Sequence, residues 1–193
     1  MRFLFMFIGI MLSLSACQQA ESGDAPLRIA VAANIRPVAE EWARGFEAKE
    51  GKKVEIVSGA TGTLYAQILH DAPFQLFFSA DESYPTELFK AGKAEKPVKY
   101  ALGRLALWLS EEAYGTGVKG PAPDLLSLPI ERIHHFAIPN PESAPYGKAA
   151  KEVLQQNGLW PELSNKIVFG ESVGKTAALM QTGAADAGIT AWS

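Results

Sequence analysis

The sequence predicts an α/β fold in which largely parallel strands alternate with helices. Three segments carry this prediction, because in each of them a short apolar strand passes through small polar residues directly into a helix. The strands of these three units are Ile29–Ala33, Val54–Val57 and Ile167–Phe169. Strands that alternate with helical segments are typical of α/β proteins with a parallel sheet.

The helix starts that follow these strands are predicted to form an anion site. The strands lead through Asn34, Ser58–Thr61 and Gly170–Gly174 into helices at Pro37–Phe46, Leu64–Leu69 and Thr176–Met180. The first turn of a helix leaves backbone N–H groups without partners and carries about half a positive charge. Several such ends aimed at one point bind an anion without a lysine or a metal. The pattern therefore indicates capture of a small oxyanion.

The remaining segments continue the alternation of strands and helices. Short apolar runs predict strands, and longer mixed runs predict helices, which glycines such as Gly158 close. In chain order we expect a strand at Gln75–Ser79, a helix at Tyr84–Ala91, an apolar stretch at Tyr100–Leu109, a short helix at Asp124–Leu128, a strand at Phe136–Ile138, a helix at Tyr146–Asn157, a strand at Asn165–Phe169, a helix at Lys175–Thr182 and a strand at Ala187–Ala191.

The charge balance limits the classes of partner. The 193-residue chain has a net charge of −3 and contains no basic run. A mildly acidic chain of this kind is a poor nucleic-acid binder, so we expect no nucleic-acid partner. The same balance argues against gathering an anion by overall charge. Any anion site must therefore be local.

The first residues are predicted to be a lipoprotein signal peptide, residues 1–16, and not part of the fold. Arg2 precedes the apolar run Phe3–Leu14, which is too short for a lasting membrane span. The sequence Leu14-Ser15-Ala16-Cys17 resembles the lipobox of bacterial lipoproteins, in which the cysteine becomes the lipid-modified first residue. Residues 17–25 are then a polar tether. The alternative is an ordinary signal peptide followed by an incidental cysteine.

Two enzyme motifs are nearly matched around the third helix start. Gly170, Ser172 and Gly174 have the spacing of a nucleophile elbow, but all the histidines lie upstream of Ser172, with only Asp186 available downstream. Gly174-Lys175-Thr176 nearly completes a phosphate loop, yet three residues separate Gly170 from Gly174 where that motif requires four. A tight turn bounded by glycines explains both near-matches. A Ser172 hydrolase remains an alternative.

Asn34 and Thr61 have two interpretations each. Either side chain can cap the helix that begins beside it, which is the common role of these residue types at such positions. Either can instead donate a hydrogen bond to a ligand, because an amide and a hydroxyl both carry a donor. Gly62 would allow a ligand close to the backbone. The residues alone leave both interpretations open.

Several segments together resemble a known family. They are Val31–Asn34, Ser58–Ile68, Ala72–Asp81, Asn140-Pro141 with Ala144–Gly147, Val173, and Ala187–Ala191. In this order and spacing the segments resemble the periplasmic molybdate-binding proteins of ABC transporters, in the form whose first loop reads Ala-Ala-Asn. The resemblance covers nearly all of residues 27–193.

The resemblance implies a two-lobed periplasmic-binding-protein fold of type II that closes on a tetrahedral oxyanion. Lobe one is expected at residues 26–99 and lobe two at 100–190. The implied ligand residues are Asn34, Thr61, Tyr146 and Val173, and Thr61 and Val173 contact molybdenum only through its oxyanion, not as direct metal ligands. No cofactor and no catalytic residue are implied.

The implied function is high-affinity binding of molybdate, and of tungstate, for delivery to the membrane permease of an ABC importer. The protein is expected to be a monomer in the periplasm or cell envelope, anchored through a lipidated Cys17. A receptor for another small oxyanion, such as phosphate, sulfate or an organic acid, is the main alternative.

The sequence departs from the family at its C-terminal end. Family members continue past Ser193 and return to rebuild lobe one. Residues 191–193 are therefore expected to begin that return, and the last part of lobe one is expected to be missing from this chain.

Overall fold

A computed structural model describes residues 25–115 and 124–192 of the chain. The predicted signal peptide, Cys17 and all of the tether except Ala25 lie outside the described residues. Within the described ranges no helix combines the length and the apolar character that crossing a membrane requires.

Lobe one is built on a three-stranded parallel sheet with the strand order β2-β1-β3. Its elements are β1 (Leu27–Ala32), a 3-10 turn (Ala33–Ile35), α1 (Arg36–Glu50), β2 (Val54–Gly59), α2 (Thr61–Leu69), β3 (Leu76–Phe78) and α3 (Ser83–Lys90). The central strand is buried from Ile29 to Ala32, and Ala39 of α1 packs against it. The middle strand of a parallel sheet is apolar along its length because both of its faces are covered.

Lobe two is built on a four-stranded sheet with the order β4-β7-β5-β6. Its elements are β4 (Leu105–Leu109), α4 (Glu111–Tyr114), 3-10 turns at Leu125–Ser127 and Ile130–Arg132, β5 (Phe136–Pro139), α5 (Pro145–Gln156), α6 (Trp160–Leu163), β6 (Ile167–Gly170), α7 (Val173–Gln181) and β7 (Ala187–Ala191). Strand β4 runs antiparallel to β7, and the other pairs are parallel. Phe136, Ile138, Leu154 and Leu163 are fully buried in its core.

The predicted α/β fold with parallel-rich sheets is confirmed. The two sheets lie on either side of the boundary expected between residues 99 and 100, although the exact extent of each lobe stays a prediction. The sequence did not predict the short helices α4 and α6, and two of the predicted segments differ from expectation. Only Leu105–Leu109 of the apolar stretch 100–109 forms a strand, and Asp124 caps a 3-10 turn and does not begin an α-helix.

Strand register places the predicted helix starts at shared sheet edges. Ala32 pairs with Gly59 at the carboxyl ends of β1 and β2, so the residues that follow them are neighbours in lobe one. Pro139 pairs with Gly170 at the carboxyl ends of β5 and β6 in lobe two. Ligand sites of α/β proteins lie beyond the carboxyl ends of such strands. Each lobe therefore offers one such edge.

A broad groove of about 820 Å³, lined by both apolar and charged residues, lies along the β3 side of lobe one. Leu76, Phe78, Tyr100 and Leu102 line it, together with Trp192, the last described residue. Trp192 follows directly after β7, which is still part of lobe two. That residues 191–193 begin a return to lobe one therefore stays a prediction.

The substitution Gly188→Ala tests whether close packing between strands and helices stabilises lobe two. In β7, Gly188 pairs with Trp108 on one side and Ala137 on the other. A Cβ here would overlap the Ala137 carbonyl oxygen and come within 2.9 Å of the Met180 sulfur. We expect Gly188→Ala to lower the free energy of unfolding by about 1–3 kcal/mol, which urea denaturation measures.

Gly45→Ala is the matched control for this substitution. Gly45 lies within α1, and a Cβ there would meet no atom within 4 Å. We expect this variant to be more stable than the wild type by about 0.5–1 kcal/mol, because alanine restricts the unfolded chain and favours helix. A Gly188→Ala protein as stable as the wild type would contradict the packing described here.

Candidate functional site

Segments from both lobes meet at one small cavity. Its walls are formed by residues that follow β1, β2, β3 and β6 and by the start of α5: Ala32, Ala33, Asn34, Gly59, Ala60, Thr61, Ala80, Ala144, Pro145, Tyr146 and Val173. The cavity volume is about 10 Å³, close to the smallest that admits one water molecule. The structure thus brings Asn34, Thr61, Tyr146 and Val173 together. Their role as ligand residues stays a prediction.

Asn34 is buried in the 3-10 turn after β1 and does not cap α1, whose N-cap is Ile35. Its Nδ2 donates a long hydrogen bond of 3.4 Å to the Tyr146 hydroxyl of the other lobe. Its Oδ1 is buried and has no hydrogen-bond partner among the described residues. Oδ1 is an acceptor and needs a donor such as water, whereas Nδ2, whose one bond is long, is the atom that can donate to an acceptor in the cavity.

Thr61 is the first residue of α2, and the N-cap is Ala60. Its side chain is buried, and Oγ1 accepts a hydrogen bond of 3.3 Å from the Ala80 backbone N–H. Because the oxygen already accepts, the hydroxyl proton is free to be donated into the cavity. The capping interpretation of Thr61 is therefore wrong, and the donor interpretation fits its surroundings.

Tyr146 lies in the first turn of α5 and carries its hydroxyl across to lobe one. Burial raises the pKa of Tyr146, and the hydrogen bond from Asn34 lowers it by less. The phenol therefore keeps its proton at neutral pH. A protonated phenol next to an anion is a hydrogen-bond donor.

Three of the helix starts at the cavity have alanine at the N-cap. Ala32, Ala60 and Ala144 precede the 3-10 turn, α2 and α5, and none of them provides a side-chain cap. Serine, threonine, aspartate or asparagine is preferred there, and an alanine costs about 1 kcal/mol. Among the helix starts at the cavity, only that of α7 has a side-chain cap, because Ser172 accepts from the Lys175 N–H. The alanines leave the first-turn N–H groups of these helices without a side-chain acceptor, although the Gly62 N–H of α2 is bonded to the Ser143 carbonyl oxygen.

No charged side chain lines the cavity among the described residues. Within the same part of the chain, no group of three or more His, Cys, Asp or Glu side chains has the arrangement of a metal site. What remains is a set of neutral donors, consisting of an amide, two hydroxyls and backbone N–H groups. That set matches a small oxyanion, whose oxygens only accept.

A backbone hydrogen bond joins the lobes beside the cavity. The Gly62 N–H in the first turn of α2 donates to the Ser143 carbonyl oxygen at 2.8 Å. A Cβ at position 62 would come within 2.7 Å of the Tyr84 hydroxyl and 2.9 Å of that carbonyl oxygen. Glycine at this position therefore allows the two lobes to approach each other.

The near-matched enzyme motifs have structural explanations. The Ser172 hydroxyl is occupied as the N-cap of α7, at 3.4 Å from the Lys175 nitrogen. Asp186, the acid downstream of Ser172 in the sequence, accepts hydrogen bonds of 2.7 and 2.8 Å from the backbone N–H groups of His134 and His135. Burial raises the pKa of Asp186, but these two bonds outweigh it and hold the pKa below its ordinary value.

Sequence reasoning missed two contributors to the site. Ala144 and Pro145 form a fourth helix start, and a proline at the first helical position was the available signal. Ala80 supplies the N–H that fixes the Thr61 hydroxyl. No local pattern identifies this contact, because it joins residues from two different loops.

Comparison with known proteins places these features in a family. The family model of bacterial extracellular solute-binding proteins matches residues 27–193. The molybdate-binding protein ModA of Azotobacter vinelandii is 35% identical over 192 residues, which is 98% of this chain and 72% of that protein. The ModA protein of Rhodobacter capsulatus is 39% identical over 166 residues, which is 85% of this chain and 63% of that protein.

A solved structure agrees with the sequence matches. The periplasmic molybdate-binding protein of Azotobacter vinelandii superposes with a TM-score of 0.73 at 35% identity, covering 86% of this chain and 71% of the other. The match is to a family of binding proteins and not of enzymes, so the Ser172 hydrolase alternative is wrong. The chain belongs to the bacterial extracellular solute-binding protein family and is a homologue of the molybdate-binding protein ModA.

Proposed function

We propose that this chain binds molybdate outside the cytoplasm and delivers it to the permease of an ABC importer, and that tungstate occupies the same site. The observation that carries the proposal is the cavity at which Asn34, Thr61, Tyr146 and Val173 meet from both lobes. The two ModA relatives are named as molybdate-binding proteins, and the chain spans 72% and 63% of their lengths. We propose as well that the protein acts as a monomer and that a membrane permease accepts the ion from it.

The chemistry of the donors supports a fully ionised oxyanion. Each hydrogen bond to a charged group contributes about 1.5–3 kcal/mol, so several together give tight binding without a full counter-charge. Molybdate and tungstate are nearly the same size and would engage the same donors. Sulfate is smaller and would bridge the two lobes less well.

The small cavity volume supports closure around the ion. With the side chains in their present positions, a space of about 10 Å³ is too small to hold a tetrahedral oxyanion. The lobes would therefore separate to admit the ion and close on it with small adjustments. Hinge closure of this kind is well known in periplasmic binding proteins.

Thermal unfolding with and without oxyanions tests the proposed ligand. A ligand at 100 times its Kd stabilises the native state by about 2.7 kcal/mol, which raises Tm by about 5–10 °C in a domain of this size. We expect molybdate and tungstate to produce such a shift at micromolar concentration and sulfate and phosphate to produce none. Calorimetric titration gives the affinities. An equal shift with sulfate or phosphate would assign the site to another oxyanion.

Thr61→Val tests the hydroxyl in the cavity. Valine keeps the shape of the side chain, and the loss of one hydrogen bond to a charged ligand is expected to weaken molybdate binding about 10- to 150-fold. Thr63→Val is the matched control, because Thr63 is exposed two residues along the same helix and does not line the cavity. Equal affinities of the two variants would remove Thr61 from the site.

We also propose that Cys17 carries the lipid that anchors the protein to the cell envelope. The support is the sequence Leu14-Ser15-Ala16-Cys17. In cells that process lipoproteins, we expect the wild-type protein in the membrane fraction and labelled by a fatty acid. Cys17→Ser is expected to lose the label and the anchoring, while the same cells keep labelling their other lipoproteins. A label that persists in Cys17→Ser would place the modification elsewhere.

A further inference from the structure

A connector of residues 91–104 joins α3 of lobe one to β4 of lobe two. On the lobe-one side, the Tyr100 hydroxyl donates to the Ser79 carbonyl oxygen at 2.8 Å, and the Tyr100 ring meets Phe78 edge-on at 5.5 Å. On the lobe-two side, the Arg104 carbonyl oxygen accepts from the Trp192 N–H at 2.9 Å. The connector is therefore attached to both lobes.

Gly103 lies between these two attachments and in contact with Tyr146. A Cβ at position 103 would overlap the Tyr146 hydroxyl oxygen and come within 2.9 Å of the ring carbon that carries it. The backbone of Gly103 is not among the positive-φ positions of the described residues. Dihedral freedom thus gives no reason for glycine here, and the close approach of the phenol gives one.

Two neighbours limit the position of the Tyr146 hydroxyl. Asn34 Nδ2 lies 3.4 Å away in lobe one, and the connector backbone at Gly103 lies close to the phenol. A side chain at position 103 would push the phenol out of this gap. The hydroxyl would then lose its alignment with Asn34 and with the cavity.

The connector also supports the opposite wall of the cavity. Tyr100 holds Ser79, and the next residue, Ala80, donates the hydrogen bond that fixes Thr61 Oγ1. The connector therefore helps to position one polar group of each lobe, the Thr61 hydroxyl of lobe one and the Tyr146 hydroxyl of lobe two. Movement of the connector would shift both groups together.

We propose that Gly103 is a positioning residue for the anion site, which fixes the Tyr146 hydroxyl by leaving space for it against the connector. This inference rests on the proposed function, since it assigns Tyr146 a role in holding the oxyanion. Gly103 itself makes no contact with the ligand. Its contribution acts through Tyr146.

The test measures molybdate affinity by calorimetry in four proteins: the wild type, Gly103→Ala, Tyr146→Phe and the double variant. We expect Gly103→Ala to raise the Kd about 10-fold or more, as for a lost bond to a charged ligand. In the Tyr146→Phe background the displaced oxygen is absent, so the same substitution should change the Kd by less than about 3-fold. Gly45→Ala, in open space on α1, serves as the control for a glycine replaced elsewhere.

The alternative explanation is that alanine merely stiffens the connector. Stiffening would raise the Kd by the same factor whether residue 146 is tyrosine or phenylalanine, and that result would overturn the proposal. An unchanged Kd in Gly103→Ala would overturn it as well.

A measurement without ligand separates this proposal from the proposed function. The ring signal of ¹³C-labelled Tyr146, assigned through its absence in Tyr146→Phe, is expected to shift in Gly103→Ala and to stay in place in Gly45→Ala. A wild type that binds no molybdate, together with a shifted ring signal, would reject the proposed function and keep the positioning role. An unshifted ring signal would reject the positioning role.

Discussion

The site depends on helix starts whose backbone N–H groups are left uncapped. Ala32, Ala60 and Ala144 occupy N-cap positions where a side-chain oxygen would ordinarily accept from the first turn. Each of these alanines lowers helix stability, but a capping side chain would fill the cavity and compete with an anion for the same donors. Under the proposed function, the local cost of the alanines is the condition for binding. An oxyanion bound there would serve as a shared cap for helices of both lobes.

Neutral donors would give the proposed anion site a selectivity that a lysine would not. The cavity walls carry no charged side chain among the described residues, so an anion gains little from non-directional attraction and depends on the alignment of each donor. Directional bonds discriminate by size and geometry, because an ion that is too small cannot reach both lobes at once. The raised pKa of Tyr146 fits this arrangement, since burial keeps the phenol a donor.

The sequence predicted the helix starts after β1, β2 and β6 because each combines a short apolar strand with small residues at its end, and both signals are local. The sequence placed Thr61 and Asn34 at the site but could not distinguish helix capping from ligand contact, since both roles use the same residue types. The choice is set by Ala80 and Tyr146, which are distant in sequence. The start of strand β4 at Leu105 is likewise not set by a local signal, because the equally apolar residues 100–102 belong to the connector and line the groove beside β3.

Direct hydrogen bonds join the lobes at the cavity. Beside the cavity they include the Gly62 bond to Ser143 at 2.8 Å and the long Asn34 bond to Tyr146 at 3.4 Å. Hydrogen bonds of this kind contribute about 0.5–1.5 kcal/mol each, so closure without a ligand is favoured only weakly by them. A ligand that bonds to both lobes adds its bonds only in the closed state, and it shifts the equilibrium by that difference. Under the proposed function, the weakness of these two bonds would therefore make closure responsive to the ion.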